Sequence, residues 1–287
     1  MKKWNKIIID RSNKITKVNK LKNFKDFSEE MGGYDVNEYY KNKKSFFEFY
    51  FRGKYIIWSN YLKSNINPIT KTLSISSGNS ISEVSLISNN FNITCSDLEI
   101  PQCYEALKKL FGHFDYLKLN ILKDTISLKD TISIEFDNIY SISACYIFSD
   151  QNLEKFFINV HKMLKKNGIL ILDFGGGEDN LTSFFFIDIY LVIEAYLIYY
   201  LSKIFNKKIG FKFDNNFGYK RKNREIKKFA KKFGFEFIDI KEYDYLTELQ
   251  RSILIRKIIE YFPFSKKVFA SLGKMIPYIR MFKFKKI

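Results

Sequence analysis

The chain is expected to fold as α/β, a doubly wound and mostly parallel seven-stranded sheet with N-terminal helices and a helical insertion. Three observations carry that expectation. Between Leu73 and Leu172, short apolar runs alternate five times with helical stripes, the pattern of successive βαβ units. One of those runs, Ile169-Leu-Ile-Leu172, is apolar throughout, as befits the middle of a parallel sheet. Finally, Lys71-Thr-Leu-Ser-Ile-Ser-Ser-Gly-Asn-Ser80 and Ile93-Thr-Cys-Ser-Asp97 read as strand, small-residue turn, helix, strand and an acid at the strand tip. Such an acid can accept hydrogen bonds from a ribose while the small turn admits a ligand close to the backbone. A complete glycine fingerprint is lacking, which argues against NAD and a pyrophosphate.

Taken in order, residues 1 to about 33 are rich in Lys and Asn, weakly patterned, and read as a loose arm. Aromatic residues then crowd from Tyr34 to Leu62 at spacings of three and four, predicting helices packed on a core. Asn67-Pro68 punctuates the chain. Leu73 to Ser76 is the first buried strand, Ile81, Val84 and Leu86 or Ile87 give a helical face, and Phe91 to Cys95 is the second strand. Tyr104, Leu107, Leu110 and Phe111 mark a helix after Pro101, Phe114 to Leu119 a third strand, and Asn138 to Ser143 a fourth. Between those two strands a hexapeptide repeats in tandem, Leu122-Lys-Asp-Thr-Ile-Ser127 and Leu128-Lys-Asp-Thr-Ile-Ser133. Two copies cannot build a solenoid, so it reads as a surface duplication. Leu153, Phe156, Phe157, Val160 and Leu164 form the clearest helical stripe, which Asn167-Gly168 is expected to cap before the fifth strand.

Beyond the fifth strand, Phe184 to Phe205 is long and apolar enough to span a bilayer, yet it contains Asp188 and Glu194. A charge at membrane depth costs about 2.5 to 3.5 kcal/mol. A soluble lid or dimer helix, a helix dipping into a membrane and a span are therefore the readings left open. Ile226, Phe229, Ala230 and Phe233 with Gly234 predict a capped helix, and Phe235 to Ile240 with Ser252 to Ile255 a strand pair closing the sheet. The tail from Tyr261 to Ile287 mixes aromatic and basic residues, which fits either an anionic membrane surface or a docked helix with solvated lysines. The expected division is 1–66 as arm and helical cap, 67–258 as the sheet domain with an insertion at about 181–212, and 259–287 as a basic aromatic extension.

Composition bounds the partners. The chain has 287 residues, 46% hydrophobic and 18% aromatic, so it can bury a core and global disorder is excluded. Its formal charge of +17 invites a polyanion, but the bases are 41 Lys against 7 Arg. Arginine is the residue suited to bidentate phosphate and base recognition, so nucleic acid is disfavoured. Cys95, Cys103 and Cys145 are odd in number and unpaired in spacing, pointing to a reducing, cytoplasmic compartment. With only His113 and His161 and no cysteine pair at ligand spacing, no metal is expected. Met1 to Asp10 lacks the apolar core of a signal peptide.

The run Leu73-Ser-Ile-Ser-Ser-Gly-Asn-Ser80 resembles the first strand and turn of the class I S-adenosylmethionine-dependent methyltransferases. Those often read apolar-acid-apolar-Gly-x-Gly-x-Gly, and in a subset Leu-Ser-Ile-Gly-Cys-Gly-Asn-Gly. Ser74 fits the subset and Gly78 keeps the middle glycine, while Ser76 and Ser80 replace the outer two. Serine preserves close approach but is strained wherever φ must be positive. Asp97 matches the family's ribose-binding acid, and Asn120 stands where relatives present a side chain to the adenine amino group. Phe136-Asp-Asn-Ile-Tyr-Ser-Ile-Ser143 is similar to the fourth-strand block, and Met163-Leu-Lys-Lys-Asn-Gly-Ile-Leu-Ile-Leu172 to the block leading into the fifth strand. The resemblance runs over roughly residues 70 to 256. It implies a Rossmann-like methyltransferase fold, S-adenosyl-L-methionine as cofactor, and Ser76, Ser77, Gly78, Asp97, Leu98, Asn120 and Ser143 as the residues that bind it. Two departures stand out. Phe148 lies near the place of a histidine that many relatives carry, and Ser143-Ala144 stands where metal-dependent members put an acid, which disfavours magnesium.

Methyl transfer from a sulfonium chiefly needs alignment and exclusion of water, with a base only where the acceptor must lose a proton. Tyr34, Tyr146 and Asp150 are the catalytic candidates, and Asp173, leading into Phe174-Gly-Gly-Gly177, is a further acid near the strand tips. Asp97 also reads as a helix cap before Pro101, Tyr146 as core, and Asp173 as a turn acid. The expected function is methyl transfer to a small-molecule acceptor, a glycan or lipid-linked intermediate being favoured. The competing reading is a non-catalytic binding or scaffold protein of the same fold. A homodimer through the insertion helix is a further expectation.

Overall fold

The structure is a computed structural model that describes residues 2–10, 40–52, 54–123, 135–175, 180–205 and 210–287. Tyr34, the repeated hexapeptide from residue 124 on and Gly176-Gly177 fall outside the described residues. After β1 (Lys2–Asp10) come α1 (Lys43–Arg52) and α2 (Tyr55–Asn65). The alternation β2 (Thr72–Ile75), α3 (Ile81–Ile87), β3 (Ile93–Asp97), α4 (Tyr104–Phe111), β4 (Asp115–Lys118), β5 (Phe136–Ser141), α5 (Asp150–Met163) and β6 (Leu164–Asp173) then builds the parallel part of the sheet. A turn at Leu181–Ser183 and a π-helical stretch at Phe184–Ile189 lead into α6 (Tyr190–Ile204), followed by β7 (Gly210–Lys220), α7 (Asn223–Lys232), β8 (Phe235–Tyr243), α8 (Ile253–Tyr261), α9 (Ser265–Gly273) and β9 (Ile279–Lys286).

Seven strands form one sheet in the order β4-β3-β2-β5-β6-β9-β8. The first five are parallel and β9 runs antiparallel to both its neighbours. This is the doubly wound, mostly parallel sheet expected. Side-chain alternation divides its two faces. Ile139, Leu170, Leu172, Phe282 and Phe284 face α5 and α7, whose Leu153, Phe156, Phe157, Val160, Ile226 and Ala230 are fully buried. Tyr140, Ile171 and Met281 face the other way, toward Phe46, Leu62, Val84 and Leu107 of α1 to α4. A period of two along the strands thus meets a period near 3.6 on the helices, which is why the stripes were legible.

Four expectations are corrected. Residues 2–10 are not a loose arm but a strand, paired antiparallel with β7 from Lys2↔Lys220 to Asp10↔Gly210. The β-branched run Ile7-Ile-Ile9 suits that conformation. Asn167-Gly168 does not cap α5, which ends at Met163. Asn167, with φ 64°, turns the chain inside β6, beside the place where the register with β5 shifts between Phe136 and Asn138. Ser252 to Ile255 is not a strand: Ser252 caps α8, its hydroxyl accepting from the Ile255 amide at 3.0 Å. The strand that completes the sheet is β9, inside the segment expected as an extension, and it lies between β6 and β8 with Met281, Phe282 and Phe284 buried. For the Phe184–Phe205 stretch, no helix among the described residues is long and apolar enough to cross a membrane.

Candidate functional site

Strand order reverses at β2, which pairs with β3 on one side and β5 on the other. A crevice opens outside the carboxyl ends of the strands at such a switch point. The residues there are Ser76 to Gly78 after β2, Asp97 and Leu98 after β3, and Ser143 after β5.

The turn after β2 keeps a left-handed course at all three of its special positions, with φ of 58° at Ser76, 51° at Gly78 and 52° at Ser80. Serines therefore hold the conformation in which glycine is unstrained. Hydrogen bonds of Ser77 tie the turn to β3 and β2. The Ser77 amide donates to the Ser96 carbonyl at 2.9 Å, the Ser96 amide donates to the Ser77 hydroxyl at 3.1 Å, and the Ser77 hydroxyl donates to that of Ser74 at 2.8 Å. Asp97 closes the arrangement, accepting from the Gly78 amide at 2.8 Å and from its neighbour Leu98 at 2.7 Å. Burial pushes its carboxyl above the usual range, and those two amides pull it back. A Cβ built on Gly78 would meet nothing within 4 Å, so the loop faces open space. Leu98 and Ile100 are exposed apolar side chains beside the acid. A left-handed loop with open space above it, a carboxylate at its rim and apolar residues next to that match what a nucleoside-type ligand needs.

The structure brings Ser76, Ser77, Gly78, Asp97 and Leu98 together directly. Asn120 sits after β4, where its side-chain oxygen accepts from the Leu122 amide at 3.1 Å, and α5 anchors that loop through Asn159 donating to the Ile121 carbonyl at 2.8 Å. Ser143, φ 52°, lies against the segment after β6: a Cβ on Gly175 would stand 3.4 Å from its hydroxyl and 3.1 Å from the Tyr146 ring. Tyr146 is flanked by Gly175 and Gly218, both with positive φ, and a Cβ on Gly218 would come within 2.6 Å of its ring. Asp150 opens α5 and pairs with Arg221 at 3.2 Å.

Two acids stand out that the sequence placed less firmly. Asp173 ends β6 fully buried, one oxygen accepting from the Gly175 amide at 3.1 Å and the Arg280 amide at 3.2 Å. Its other oxygen has no partner among the described residues, and burial pushes the carboxyl up to about 6. Glu83, on α3, was missed altogether. It is buried behind the loop, accepts from the Ser74 hydroxyl at 2.9 Å, and burial pushes it up to about 7. Ser74 stands where the resembled pattern carries an acid, and Glu83 supplies a carboxyl to that spot from the helix. A serine at that position followed by an acid on the next helix is the signal that could have found it.

No protein-family model matches this chain, and no curated protein does. Solved structures do. A S-adenosylmethionine-dependent methyltransferase from Archaeoglobus fulgidus matches with a TM-score of 0.51 at 14% identity, over 85% of this chain and 100% of that one. The 1,6-didemethyltoxoflavin-N1-methyltransferase of Burkholderia thailandensis, with 1,6-didemethyltoxoflavin and S-adenosylhomocysteine bound, gives 0.51 at 10% identity over 82% and 78%. Magnesium protoporphyrin IX methyltransferase of Synechocystis PCC 6803, with S-adenosylhomocysteine, gives 0.50 at 10% over 82% and 82%. By its sheet order, its crossing pattern and these likenesses, the chain has the Rossmann-like fold of the class I S-adenosylmethionine-dependent methyltransferases.

Proposed function

We propose that the protein transfers a methyl group from S-adenosylmethionine to a small-molecule acceptor. The tie between Asp97 and Gly78 at the switch point carries this reading. It preserves the ligand-facing course of the loop although both outer glycines are serines. When bound, S-adenosylmethionine brings the activated methyl group. The residues of the chain do the rest. Asp97 accepts from the ribose, Ser76, Ser77 and Gly78 let the cofactor lie against the backbone, Leu98 packs beside the adenine, Asn120 meets its amino group, and Ser143 borders the acceptor side. Tyr146, between Gly175 and Gly218, forms a wall of the acceptor pocket and shields it from water. Asp150, half exposed at the start of α5, and Tyr146 are the groups that would take the proton of an acceptor that must lose one. Two structural neighbours are named for small-molecule acceptors, which supports that class of substrate. Three buried, unpaired cysteines support a reducing, cytoplasmic setting.

A second reading, a binding or scaffold protein without catalysis, is favoured by one observation. Asp97 already accepts two amide hydrogens and is 7% exposed, an arrangement that can persist without a ligand. Calorimetric titration with S-adenosylmethionine and S-adenosylhomocysteine, repeated on Asp97→Ala, separates the two. Micromolar binding that Asp97→Ala weakens at least tenfold is expected; a folded protein that binds neither ligand would sink the enzyme reading.

A further inference from the structure

The helices beyond the sheet leave a large apolar face uncovered. They form one body, because Leu191 of α6, Ile255 of α8 and Phe269 of α9 pack around the buried Leu249 and Ile276. Glu194 fastens α6 to the start of α8, accepting from the Ser252 hydroxyl at 2.9 Å and the Leu254 amide at 2.7 Å. Outside that shared core, Ile193, Leu197, Tyr200 and Ile204 make a single helical stripe on α6, and every one is exposed. Val268, Leu272 and Met275 repeat the spacing along α9 and just past it, also exposed. At the turn between α8 and α9, Tyr261 and Phe264 stand 73% and 74% exposed, with Phe262 between them. Apolar side chains grouped at this exposure mark an interaction surface.

Charge decides the partner. Arg256, Lys257, Lys266, Lys267 and Lys274 are all exposed on α8, α9 and their ends, against one acid, Glu260, which pairs with Lys257 at 2.7 Å. Lys266 and Lys267 follow the aromatic turn directly. Aromatic tips with a basic rim match a bilayer interface, where rings sit at headgroup depth and ammonium groups meet anionic lipid. A second copy of the chain fits poorly. A two-fold contact through this face would set the same lysines against each other.

We propose that the face formed by α6, α8 and α9 docks the protein on an anionic lipid bilayer, with Tyr261, Phe262 and Phe264 entering the interface and Lys266 and Lys267 on the headgroups. Docking is peripheral. The face also lies at the carboxyl edge of the sheet, since β6 leaves toward it at Asp173↔Met281 and β8 at Tyr243↔Ile279. A bound bilayer therefore lies on the side where the Asp97 crevice opens. Such docking requires no methyl transfer.

Vesicle flotation of the full chain tests it, with phosphatidylglycerol–phosphatidylcholine vesicles against pure phosphatidylcholine. Binding to the anionic vesicles, roughly tenfold or more above the neutral ones, is expected, and it should fall as salt rises from about 0.15 M to about 1 M. Phe262→Ser with Phe264→Ser, and separately Lys266→Gln with Lys267→Gln, should each weaken binding by about tenfold or more at an unchanged melting temperature. Equal binding to both vesicles, or none by the folded protein, overturns the proposal. So does a dimer in light scattering that the Phe262 and Phe264 substitutions dissociate.

Discussion

The Asp97 carboxylate accepts the Gly78 amide hydrogen at 2.8 Å, so the tip of one strand holds the turn that follows its neighbour. This bond couples loop shape to the acid that would contact a ribose. Asp97→Asn keeps an acceptor for Gly78, but it removes the charge and turns an NH2 donor toward the Leu98 amide. It should retain the fold, with a melting temperature within a few degrees of wild type, and weaken S-adenosylmethionine by roughly tenfold or more, because hydrogen bonds to a charged group are worth about 1.5 to 3 kcal/mol. Calorimetry and a thermal melt on the same sample check both parts.

Ser80 occupies φ 52° with its hydroxyl buried beside the Cys95 thiol, a weak hydrogen-bond partner. Ser80→Gly relieves the left-handed strain, worth about 1 to 2 kcal/mol, at the cost of the weak contact with Cys95 and of greater chain entropy when unfolded. A net gain of about 1 kcal/mol is expected in chemical denaturation. A loss of stability would mean that the contact of the Ser80 hydroxyl with the Cys95 thiol outweighs the strain.

Stability should fall as pH rises through neutrality. Burial raises Glu83 from its ordinary 4.5 to about 7, and Asp173 from 3.8 to about 6. Each holds its proton more tightly folded than unfolded. The stability they contribute is fully present below the unfolded values and is lost as pH climbs through the folded ones. With about 1.4 kcal/mol per pKa unit, the melting temperature should drop by several degrees between about pH 5 and about pH 7.5. Glu83→Gln should flatten much of that slope; an unchanged slope would remove Glu83 as its source.

Glu194 was conspicuous as a charge within an apolar stretch, and the structure uses it as a cap for α8. Glu194→Ala should cost about 1 to 2 kcal/mol locally. Hydrogen exchange should speed up over α8 and α9 while the strands of the sheet keep their protection. Faster exchange throughout the sheet would contradict a local capping role.

Much of the sheet and the rim of the site could be read from the residues alone, because that information is local. Leu153, Phe156, Phe157 and Val160 repeat with the helical period, and each is fully buried. The small turn at Ser76 to Gly78 and the acid at Asp97 lie on consecutive βα units, where chain order alone places them side by side. Other features were settled by partners far away along the chain. Ile253-Leu-Ile255 is as apolar as a strand, and it becomes helix because Ser252 and Glu194, 58 residues apart, cap its start. The last strand hides in a lysine-rich tail because its pattern acquires meaning only between β6 and β8. Asp173 meets the Arg280 amide across 107 residues, and the carboxyl that Glu83 offers to Ser74 depends on how α3 packs behind the loop. Periodicity and turn chemistry act within a few residues, so composition and spacing reveal them. Pairing and burial act between segments, and only the packed chain brings those together.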